Sequence, residues 1–78
     1  QRLKPLRDKV KEVEQALSEQ REKLIELDAR LTDETIYVDQ SRKDELTELV
    51  REQAATRAAI ETLEWDWLEA SEQLEQAS

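Results

Sequence analysis

Residues 35–46 read "TIYVDQSRKDEL", and they interrupt two long runs of heptad-spaced apolar residues. The first four, Thr35, Ile36, Tyr37 and Val38, are three β-branched side chains and one aromatic, so helix propensity fails here as nowhere else in the chain. Immediately afterwards it recovers. Ser41-Arg42-Lys43-Asp44 has the spacing of a capping box, in which the Ser41 hydroxyl takes the first free amides and Asp44 reaches back. A helix is therefore expected to begin at about Arg42 and a turn to precede it.

Upstream, Leu3, Leu6, Val10, Val13, Leu17, Gln20, Leu24, Leu27 and Leu31 alternate at spacings of three and four, the a/d pattern of a coiled-coil seam. Downstream, Leu46, Leu49, Gln53, Thr56, Ile60, Leu63, Trp67, Ala70, Leu74 and Ala77 keep the same alternation. Pro5 suits a first helical turn, where its missing N–H costs nothing. The pattern predicts an all-α fold, a two-helix antiparallel coiled-coil hairpin. Helix 1 covers about 5–32, the turn about 33–41 and helix 2 about 42–77, since a short connection implies antiparallel neighbours.

Charge supports the same hairpin. Arg2, Lys4, Arg7, Lys9 and Lys11 crowd the start of the chain, whereas residues 61–78 carry Glu61, Glu64, Asp66, Glu69, Glu72 and Glu75 and no base. Both blocks oppose the helix dipole, so their arrangement is better explained by lying side by side. The expected register places Leu3 opposite Ala70, Leu6 opposite Trp67, Val13 opposite Ile60, Gln20 opposite Gln53 and Leu27 opposite Leu46. Its flanking pairs are Lys9–Asp66, Lys23–Glu52, Arg30–Glu45, Arg7–Glu64, Glu14–Arg57 and Asp28–Lys43, all opposite in sign. A slip of one heptad would set Glu14 by Glu64 and Arg21 by Arg57. Gln20 and Gln53 would set the register by penalising such slips.

Composition excludes much chemistry. The 78 residues carry a net charge of −8, 41% of them are charged, and Gly, Cys and His are absent. Disulfides, thiolate chemistry, the usual zinc sites and histidine catalysis are thereby removed. Without glycine there is no phosphate-cradling loop. The carboxylates recur at surface heptad positions with no apolar pocket to raise a pKa, so a noncatalytic chain without its own cofactor or metal is expected. No apolar run approaches the ~20 residues of a membrane span. The missing initial Met reads as a fragment of a longer chain, with a cytoplasmic origin as the default.

Three groups of residues are candidate contacts. Ile36, Tyr37 and Val38, with Arg42 and Lys43, occupy the apex, where they either seal the open end of the seam or form a recognition tip. The basic edge of Arg2, Lys4, Arg7, Lys9 and Lys11 could meet phosphate, although the net acidic balance favours pairing within the hairpin. Trp65 and Leu68 lie outside the strict seam as i,i+3 neighbours, either scattered apolar residues or a small docking patch.

The apolar-Tyr tip followed by "DQSRKDELTELV", and then "WLEASEQLEQ", resembles the C-terminal hairpin domain of bacterial ABC-F ATPases, especially the YheS-like branch, with Uup-type proteins as relatives. The resemblance implies that 1–78 is a single C-terminal coiled-coil domain behind two ATP-binding cassettes, whose ATP is bound by the parent protein rather than by this chain. It further implies the parent's own ATPase domains and the ribosome as partners, with a role in translation. Direct DNA or RNA binding is implied through the Uup-type domains. The isolated chain is expected to be monomeric, with self-association through Trp65, Leu68 and Leu74 as the rival reading.

Overall fold

In the computed structural model, which describes residues 3–78, both heptad runs are helical. Helix α1 spans Lys4–Leu31 with Pro5 in its first turn, and α3 spans Lys43–Ala77 with Asp44 and Glu45 in its first turn. Those acids complement the helix dipole at the start of α3, as Arg30 does in the last turn of α1. The two helices pack antiparallel along a molecule of 58 × 14 × 14 Å. Seam residues from Leu3 to Leu31 and from Leu46 to Leu74 are all buried or half-buried; only Ala77, at the end of α3, is exposed.

The connection corrects the expected helix count. Among the described residues there are three α-helices, because Thr35–Val38 forms a short helix α2, followed by a 3₁₀ turn at Gln40–Arg42. Local propensity loses here to burial. Ile36 is 1% exposed and packs with Leu27 and Leu49, flanked by Leu31 and Leu46. One helical turn is what directs Ile36 inward while its neighbours face water.

The cap also differs from the Ser41 capping box. The Asp39 carboxylate accepts from the Ser41 amide at 3.0 Å and from its hydroxyl at 2.6 Å, so Ser41 is the donor. A full negative charge is the stronger acceptor, and the extended backbone of Asp39 aims it at the following turn. Asp33 does the same for Thr35, accepting from its amide at 3.0 Å and its hydroxyl at 2.7 Å. The end of α1 closes without a left-handed residue, for no described residue has positive φ. Instead the Thr32 hydroxyl and amide donate to the Ala29 carbonyl, the Asp33 amide to Arg30, and the Tyr37 hydroxyl to Leu31.

The register is displaced by one heptad from the expected one. Gln53 donates to Asp28 at 2.7 Å rather than facing Gln20, which is half-buried elsewhere on the seam. Glu64 meets Arg21 at 3.2 Å, not Arg7, and Arg57 meets Asp28 at 3.9 Å, not Glu14. Two physical reasons account for this. An edge residue of an antiparallel pair lies between two residues of the facing edge, so Glu64 can avoid Glu14 by turning to Arg21. Displacement also lets Ile36 act as one more seam residue beneath Leu46 and Leu49. One buried aliphatic residue contributes ~1.5–3 kcal/mol, more than an exposed ion pair at ~0.2–1 kcal/mol.

Parts of the expected edge survive the shift. Lys9 and Asp66 still line one groove with Glu69 and Gln73, whereas Glu45 pairs with Arg42. The basic start of α1 therefore does run beside the acidic end of α3.

Candidate functional site

The apex is a self-bonded unit centred on Arg42. Its guanidinium donates to Glu45 at 2.9 and 3.3 Å and to the Thr35 hydroxyl at 2.9 Å, and lies 3.6 Å from Asp33. One side chain thus ties the end of α1, the start of α2 and the first turn of α3. The hydrogen bond to Glu45 raises the pKa of Arg42 and lowers that of Glu45. Arg42 spends its donors inside the apex, whereas Tyr37, Val38 and Lys43 face outward. These three share a shallow groove with Ile36, Asp39, Gln40 and Leu46. The seal and the exposed tip are therefore different residues of the same turn.

Hydrogen bonds from the Thr35 hydroxyl and then the Thr35 amide hold the pKa of Asp33 below its ordinary value, and Ser41 does the same for Asp39. Depressed carboxylate pKa values give stability that is present above the unfolded value, near 3.9, and is lost as pH falls through the folded values. Below about pH 4 the apex should therefore loosen. Faster amide exchange at Thr35 and Ser41 on acidification, corrected for the intrinsic pH dependence of exchange, would show it, and Asp33→Asn with Asp39→Asn should flatten that response.

Arg2 of the basic edge lies outside the described residues. Lys4 is paired with Asp8 at 2.9 Å, while Arg7, Lys9 and Lys11 are exposed. Lys9 borders the acids Asp66 and Glu69 across the groove between the helices.

Trp65 and Leu68 are both surface-exposed, at 67% and 51%. Beside them the structure adds residues that heptad reading had not joined. Glu14, Leu17, Arg21, Glu64, Trp67 and Leu68 line a groove of about 670 Å³ between α1 and α3. The Trp67 indole N–H donates across it to Glu14 at 3.2 Å. Only the displaced register brings these side chains together. The caps at Asp33 and Asp39 were also missed, although the repeated pattern Asp-x-Thr and Asp-x-Ser carried a signal for them. Among the described residues no helix is long and apolar enough to cross a membrane, and no group of acids could hold a metal ion.

No family model and no solved structure matches the chain. Curated relatives do. The chain is 51% identical over 47 residues to "Probable ATP-binding protein YheS" of Escherichia coli strain K12 and to the protein of the same name in Escherichia coli O157:H7. Identity is 49% over the same length with the YheS of Escherichia coli O6:H1. The match covers 60% of this chain but 7% of each relative. By that identity, this helical chain is similar over 47 residues to a short part of proteins named probable ATP-binding protein YheS.

Proposed function

We propose that the chain is a noncatalytic C-terminal arm of an ABC-F ATPase, an antiparallel coiled-coil hairpin that helps place the parent protein on the ribosome during translation. The shape carries this reading. A rod 58 Å long and 14 Å across, with an apex stapled by Arg42, can hold Tyr37, Val38 and Lys43 far from an ATPase core. ATP would be bound and hydrolysed in the parent's cassettes, and the arm would supply a second point of attachment. A second point raises the effective concentration of the first without new chemistry.

Removal of this segment from the full-length parent is expected to weaken ribosome co-sedimentation by on the order of tenfold or more, increasingly so as salt rises. Unchanged co-sedimentation across the salt series would sink the arm reading. Autonomous DNA or RNA binding is the weaker reading, because the net charge of −8 opposes it.

A further inference from the structure

We infer that the outer face of α3 around Trp65 and Leu68 is a docking surface for a basic amphipathic protein segment. The inference is independent of ribosome attachment, and the surface lies roughly 33 Å along α3 from the apex at 1.5 Å per residue. Two observations define it. The first is apolar and aromatic: exposed Trp65 and Leu68 stand at i,i+3 spacing, and Leu68 continues into the groove floored by Leu17 and Trp67. An aliphatic or aromatic anchor fits the groove of about 670 Å³, one wall of which is the Trp67 indole held by Glu14.

The second observation is charge. Around the patch, one helical turn before and after, stand Glu61, Glu64, Glu69 and Glu72, all exposed, and residues 61–78 contain no base. The cation facing the groove from α1, Arg21, is already paired with Glu64. An acidic rim around an apolar centre repels nucleic acid and anionic lipid and selects a partner with Lys or Arg flanking its anchor. At the apex, by contrast, the exposed Tyr37 and Val38 share their groove with both Lys43 and Asp39, a rim of mixed sign.

The test uses the 78-residue chain and three synthetic helical peptides, monitored by tryptophan emission, since both tryptophans lie at the site. One peptide has Leu on one face and Lys on the other, one has the same composition scrambled, and one replaces Lys by Glu. The amphipathic basic peptide should bind saturably with a blue shift, and the other two at least about tenfold more weakly. Leu68→Ser and the double change Glu61→Lys with Glu69→Lys should each weaken binding by about tenfold. Neither should alter the helical circular dichroism, because the positions are exposed. Equal binding of the scrambled peptide, or binding insensitive to Leu68→Ser, would overturn the inference in favour of simple charge attraction. Sedimentation of the chain alone as a dimer that Leu68→Ser dissociates would also overturn it, assigning the face to a second copy.

Discussion

Replacing Ile36 by Ala is expected to destabilise the hairpin by about 2–5 kcal/mol, the range for emptying a packed aliphatic site. For a chain of this size that corresponds to a fall in melting temperature of roughly 8 °C or more. Ile36 is 1% exposed and joins Leu27 and Leu49 in the cluster that closes the seam, so its side chain has no solvent-facing alternative. Its neighbours should behave differently. Val38 is 79% exposed, and Val38→Ser should leave the melting temperature within a few tenths of a kcal/mol in equivalent stability. Tyr37→Phe removes only the hydrogen bond to the Leu31 carbonyl and should cost about 0.5–1.5 kcal/mol. Thermal unfolding of the three variants, followed by circular dichroism, separates the seal from the exposed tip. Equal losses for Ile36→Ala and Val38→Ser would contradict the inward placement of Ile36.

Engineered cysteines should report the register almost as an all-or-none outcome. Extending the register set by the Arg21–Glu64 and Glu14–Trp67 contacts, heptad spacing puts Leu17 across the seam from Leu63. The double variant Leu17→Cys with Leu63→Cys is therefore expected to oxidise within one chain, changing its mobility on a nonreducing gel. Gln20→Cys with Gln53→Cys should remain reduced under the same conditions. One heptad corresponds to about 10 Å of helix, well beyond the ~4.4–6.8 Å between α-carbons that a disulfide tolerates. Preferential oxidation of the glutamine-site pair would restore the register in which Gln20 faces Gln53.

Much of this protein was legible in the order of its residues. The alternation from Leu3 to Leu31 and from Leu46 to Leu74 specified two helices and their buried faces, because a period of 3.5 leaves one stripe to exclude from water. The basic start and acidic end specified that the helices run antiparallel. The tip and the stretch from Asp39 onward also carried the likeness to the YheS-like proteins that sequence identity supports.

What heptad and charge reading placed one heptad away from the observed position was how far one helix slides along the other. Glu64 can pair with Arg7 in one register or Arg21 in another, and each exposed pairing is worth too little to choose between them. Tertiary structure decided the matter through Ile36. A stretch with poor helix propensity became the short helix α2 because one turn there buries Ile36 against Leu27 and Leu49, and the Asp33 and Asp39 caps with the Arg42 staple satisfy its ends. That additional layer pulled the seam into the register that joins Glu14, Leu17 and Arg21 to Trp67 and Leu68. Heptad spacing determined which residues are buried; the non-local burial of one isoleucine decided what each of them faces.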